Sequence, residues 1–89
     1  MERDEILKAA IARYGEKAQM IIAMEEMAEL TKELSKVLRG APNEDYIAEE
    51  IADVRIMLDQ LEIMFDCAGA AAAYQAYNVE RLRKRLEET

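Results

Sequence analysis

Residues 25–30 read EEMAEL and residues 49–54 read EEIADV, so the pattern acid, acid, apolar, alanine, acid, apolar is written twice, 24 positions apart. Residues three apart on a helix stand on one face, which places Glu26 beside Glu29 and Glu50 beside Asp53. Each copy is then a pair of hard oxygen donors. Four converging carboxylates repel one another strongly unless something positive sits between them. The chain contains no histidine, and ligands that are all oxygen select hard cations, Mg²⁺ first and Mn²⁺ second. The same absence tells against a di-iron carboxylate centre, which takes a Glu-x-x-His pair from each of two helices. A Mg²⁺ held partly by protein acids keeps positions for water and phosphate oxygens, and that suits hydrolysis of a phosphate ester. The competing reading is a solvated acidic face paired with lysines such as Lys32 and Lys36, a common arrangement in a chain with 19 acidic residues.

Whether the two pairs meet depends on the elements that carry them. Residues 3–13 place Ile6, Leu7, Ala10 and Ile11 at helical spacing before a stop at Tyr14-Gly15. From Glu16 to about Leu38 the positions Met20, Met24, Met27, Leu34 and Leu38 repeat with the helical period and predict a long second helix. Gly40 suits the position after its C-cap, and Pro42 cannot continue a helix. Asn43 is placed to cap a third helix, with Glu44 and Asp45 in its first turn. Ile47, Ile51, Val54, Leu58, Leu61 and Phe65 extend that helix to about Asp66. Gly69 suggests a turn over Cys67-Ala68-Gly69. A last helix is expected over roughly Ala72–Glu87, with Tyr74, Val79, Leu82 and Leu86 on one side and Arg81, Arg83, Lys84 and Arg85 near its end.

Stepping about 100° per residue, Glu29 falls to one side of Glu26 and Asp53 to the same side of Glu50, so both pairs border the apolar stripes. At about 1.5 Å per residue, the first pair lies roughly 17 Å before the end of its helix and the second roughly 11 Å after the start of its own. A short antiparallel connection absorbs much of that difference. Ala28 and Ala52 remove bulk beside the acids.

The composition fits this reading. A chain of 89 residues, 52% hydrophobic and 35% charged, with three glycines and one proline, reads as one all-α domain over residues 1–89. Its apolar surface exceeds what four short helices hide internally, so a homo-oligomer is expected. Ile56 and Ile63, away from the main stripe of the third helix, are candidates for burial against another subunit. A net charge of −7 opposes a polymeric nucleic-acid partner, which needs a basic face. The single cysteine, Cys67, has no intramolecular partner. The acidic N-terminus and the lack of a long apolar run point to a cytoplasmic protein with no membrane segment.

Glu25, Glu26 and Glu29 followed by Glu50 and Asp53 form an EExxE…ExxD pattern that resembles the signature of the all-α NTP pyrophosphohydrolases of the MazG type. Gln19, the segment LTKELSK with its RG turn, IAEEIADVRIMLDQLE and the tail ERLRKRL are also similar to compact, phage-like members, so the resemblance covers roughly residues 13–87. It implies a short four-helix bundle completed by oligomerisation as a dimer or tetramer. The activity implied is Mg²⁺-dependent hydrolysis of nucleoside triphosphates, including deoxy or noncanonical ones, to monophosphate and pyrophosphate. By position it makes Glu26, Glu29, Glu50 and Asp53 the metal ligands, with Glu25 and Glu49 as general-base or outer candidates. Relatives often open the basic tail with a lysine where this chain has Asn78, so phosphate contacts fall to Arg81 and Arg85. Either arginine could instead pair with Glu80 or Glu87. Lys32 and Arg39 are further phosphate candidates, and Gln19 is a substrate-binding candidate. Met20, Met24 and Met27 read as core before nucleobase slot, and Tyr74 and Tyr77 as interface before base stack. The alternatives in other classes are a non-catalytic helical interaction module and a nucleotide-binding relative without turnover.

Overall fold

The computed structural model describes residues 1–41 and 43–88, and Pro42 therefore lies outside the described residues. Four helices follow one another: α1 (Arg3–Tyr14), α2 (Glu16–Leu38), α3 (Glu44–Met64) and α4 (Ala68–Glu87). No strand occurs among the described residues.

The turns follow from the residues that occupy them. Gly15 sits at φ 93° and ψ 150°, a region open to glycine alone, and it breaks α1 from α2 in a single residue. At the end of α2 the Gly40 amide donates to the Val37 carbonyl at 2.9 Å and the Ala41 amide to Lys36 at 3.0 Å. With Gly40 at φ 90°, these are the paired bonds of a Schellman C-cap. The end of α3 repeats the device without glycine. Asp66 adopts φ 49°, its amide donates to Ile63 at 3.3 Å, and the Cys67 amide donates to Glu62 at 3.0 Å. The turn expected around Gly69 therefore falls earlier, at Phe65–Cys67, and Gly69 lies inside α4. Alanines on either side hold Gly69 helical, whereas aspartate tolerates the left-handed conformation the turn requires.

Among the described residues, helices α2 and α3 form the principal pair, α1 packs on both, and α4 touches α3 alone. Three rungs show that α2 and α3 run antiparallel. The Asn43 side chain bonds to the Glu33 carboxylate beside the loop, Glu26 meets Glu50 and Asp53 midway, and Gln19 Nε2 donates to Gln60 Oε1 at 2.7 Å at the far end. Asn43 occupies the N-cap position of α3, but its side chain makes no cap bond. It is drawn back instead to Glu33, which is buried and also paired with Lys36 at 3.3 Å. An ion pair from Arg3 to Asp59 ties α1 to α3.

The core this builds is thin, with Leu7, Ala23 and Met57 its buried apolar residues. The methionine and leucine stripe that makes α2 legible is largely bare: Met24 is 61% exposed and Leu38 88%. What α2 turns toward α3 is the neighbouring arc with Gln19, Ala23, Glu26 and Glu33. The radius of gyration is 16.1 Å, against about 12 Å for a compact domain of this length.

Candidate metal centre

Helix α2 contributes Glu26 and α3 contributes Glu50 and Asp53, each half-buried. The spacing of the acids on each helix and the antiparallel register do the positioning. Each side chain offers one carboxylate oxygen, and these three oxygens lie within 4.8 Å of one another. Glu29 is exposed at the edge of the group, close enough for its charge to act on Glu50.

Glu50 carries the strain of the arrangement. Its Oε2 is shielded from solvent and has no hydrogen-bond partner. Burial raises the Glu50 pKa above its ordinary value, and repulsion from Glu26, Asp53 and Glu29 raises it further. A proton on Glu50 would also let it donate to the Glu26 carboxylate, which acts in the same direction. An unpartnered buried oxygen among like charges is the environment a cation relieves. Oxygens bound to one Mg²⁺ at about 2.1 Å stand roughly 3–4 Å apart, so small side-chain rotations bring these three onto a common ion. The donor set is hard oxygen throughout and fits Mg²⁺ or Mn²⁺.

The remaining candidates fall in different places. Glu25 and Glu49, the leading acids of each copy, are exposed. Lys32 is exposed and enters no ion pair among the described residues. Gln19 is only 5% exposed and bonded to Gln60, so its side chain faces α3. On α4, Arg83 takes the two acids weighed above as partners for Arg81 and Arg85: it bonds to Glu80 at 3.0 and 3.1 Å and to Glu87 at 2.6 Å. The Arg83 hydrogen bond holds the Glu80 carboxyl below its usual range. Arg81 and Arg85 are left without an ion pair among the described residues. α4 meets α3 near the turn, in a groove lined by Leu58, Leu61 and Phe65 with Ala71, Ala72 and Gln75, and makes no contact with α2. One chain therefore brings the acids of α2 and α3 together and does not bring the α4 arginines to them.

Sequence reading missed the buried glutamine rung. Gln60 lies on the same face of α3 as Asp53 and Met57, an arc that otherwise approaches α2, and a polar residue there signals a partner on the facing helix.

No protein-family model matches the chain, and no curated protein or solved structure matches it.

Proposed function

We propose that this chain is a divalent-metal-dependent hydrolase that cleaves nucleoside triphosphates to monophosphate and pyrophosphate, an all-α NTP pyrophosphohydrolase of the MazG type. The observation that carries the reading is the meeting of Glu26, Glu50 and Asp53 from two helices, with Glu50 Oε2 sheltered and unpartnered. The doubled acidic motif and its sequence context supply the reaction class.

In this proposal Glu26, Glu50 and Asp53 hold Mg²⁺, with Glu29 as a fourth donor at the rim. The bound ion supplies charge neutralisation for the triphosphate and lowers the pKa of a water molecule. Ligation turns the burial that raises the Glu50 pKa to use, because a carboxylate poorly solvated by water binds a cation without losing much hydration. Glu25 and Glu49 stand outside the cluster with access to solvent, where one of them accepts the proton of the attacking water. Arg81 and Arg85, spared by Arg83, are assigned to the phosphates. Since α4 stands clear of its own chain's acids, that role requires α4 to come from a second copy. Lys32 is a weaker assignment of the same kind. Gln19 serves the helix pair and not the substrate.

The exposed apolar surface also suits a helical interaction module in which the acids are only charge. Product analysis separates the two. ³¹P NMR of a panel of ribo-, deoxyribo- and base-modified triphosphates should show monophosphate and pyrophosphate with Mg²⁺ and no turnover with EDTA. Release of diphosphate and orthophosphate, or no turnover of any substrate, would overturn the proposal.

A further inference from the structure

The seam between α2 and α3 carries polar side chains at a regular interval. Gln19, Glu26 and Glu33 follow one another seven positions apart on α2; on α3, Asn43 and Glu50 keep the same interval, as do Asp53 and Gln60. Seven residues make two turns, about 10 Å along the axis with a drift of only about 20°, so each set stays on one face. The pairings across the seam also share a register. From the meeting of Glu26 with Asp53, seven positions back on α2 and seven forward on α3 lead to the Gln19–Gln60 bond. From the meeting of Glu26 with Glu50, seven forward on α2 and seven back on α3 lead to Glu33 and Asn43, whose side chains are hydrogen-bonded. Among the described residues, these two pairs are the side-chain hydrogen bonds that link α2 to α3 and its N-cap. They bracket the carboxylate cluster about two turns to either side.

We propose that Gln19–Gln60 and Glu33–Asn43 are positioning pairs that fix the sliding register of α2 against α3, and with it the convergence of Glu26, Glu50 and Asp53 before any cation arrives. The cluster needs such a device. Three carboxylates with oxygens within 4.8 Å of one another push the helices away from this register until a cation is bound. Apolar packing resists weakly, because among the described residues Ala23 is the one buried apolar side chain of α2 and Met57 that of α3, and hydrophobic contact is non-directional. The other buried residues of the two helices are Gln19, Glu33 and Gln60, all members of the two pairs. A buried polar pair is satisfied in one register alone. Sliding either helix by one turn, about 5.4 Å, would part all four side chains from these partners at sites closed to water. Buried polar side chains choose the register of coiled coils in the same way, at a cost in stability. That cost is visible here, since Gln19 Oε1 and Asn43 Oδ1 are shielded and have no hydrogen-bond partner. Lys36, 3.3 Å from the Glu33 carboxylate, offsets the negative charge that Glu33 brings to the seam.

The positioning role rests on the metal reading of the cluster, whereas the register is testable without metal. The deciding variant of the full chain joins Gln19→Met to Gln60→Met, because it removes the bond and the buried polar groups together. Its thermal stability should stay near wild type while its affinity for Mn²⁺, read from the electron paramagnetic resonance of the free ion, falls at least about fivefold, as fewer chains hold the competent register. Asn43→Ala alone, which cuts the other pair at a half-buried position, should weaken Mn²⁺ binding as well and carries the test if the double variant does not fold. The metal-free register is read from the distance between spin labels at the exposed positions of Lys17→Cys and Arg55→Cys, in a Cys67→Ala background diluted with unlabelled chain. That distance should be single and narrow with both pairs intact, and broadened or shifted when either is removed. Affinity that follows stability, falling in Gln60→Met and recovering in the double variant, would make the glutamine pair merely structural and overturn the proposal. A label distance indifferent to both variants would overturn it too. Absence of Mn²⁺ binding by wild type would instead overturn the metal reading, and the label distance would still decide the register.

Discussion

The Gln19–Gln60 rung offers a perturbation whose size can be worked from the structure. Gln19 is 5% exposed and Gln60 3%; the Gln19 amide donates at 2.7 Å, and its Oε1 is already without a partner. Gln60→Met keeps the shape of the side chain and removes the acceptor, so both polar atoms of the Gln19 amide are then buried and unpaired. Stranding a buried polar group costs about 1–3 kcal/mol. Taking about 2 kcal/mol, and roughly 4–8 °C per kcal/mol for a domain of this size, the expected loss is about 8–16 °C in Tm. Replacing both residues by methionine removes the desolvation problem along with the bond and should return stability to near the wild-type value. The assay is thermal and urea unfolding followed by circular dichroism at one fixed protein concentration, since association shifts apparent stability. A single variant within about 0.5 kcal/mol of wild type, or a double variant as unstable as the two single losses added together, would refute the reasoning.

Other consequences follow from the backbone and the acids. Gly15→Ala should cost about 1–3 kcal/mol in denaturant unfolding, although a Cβ there meets nothing within 4 Å, because the penalty lies in the φ of 93°. Asp66→Gly should stabilise by about 0.5–1 kcal/mol, since glycine occupies the left-handed C-cap of α3 without strain; a loss would show that the Asp66 side chain matters more than its φ. In metal-free buffer, the raised Glu50 pKa makes the folded chain hold this proton after the unfolded chain has released it. This contribution is neutral well below pH 4.5 and becomes destabilising as pH rises through that value toward the raised folded value. Glu50→Gln should therefore match wild type in acid and exceed it in stability near neutrality, a difference that added Mg²⁺ should shrink or reverse.

Much of this architecture is legible in the sequence because its punctuation is physical. Gly15 and Gly40 bound α2 where positive φ is required, and the doubled acidic motif, folded through a short antiparallel loop, brings Glu26 to Glu50 and Asp53. The boundary between α3 and α4 is harder to read, because a glycine inside an alanine run stays helical while an aspartate makes the turn. Periodicity also reports that a face must be covered without reporting by what. The Met24–Leu34 stripe has the pattern of a core and is bare in the single chain, while Ile63, expected at a subunit contact, lines the groove against α1. Glutamine and asparagine give no periodic signal, so Gln19–Gln60 and Asn43–Glu33 become visible only when the helices face each other.

In the proposed reaction, nucleotide cleavage depends on a cation held by the three converging carboxylates. The most direct measurement is kcat/KM for pyrophosphate release by wild type and Glu50→Gln at saturating Mg²⁺, on the best substrate of the panel. The variant, folded and at least as stable as wild type without metal, should lose at least about 100-fold. Activity within threefold of wild type, or pyrophosphate release undiminished by EDTA, would contradict it.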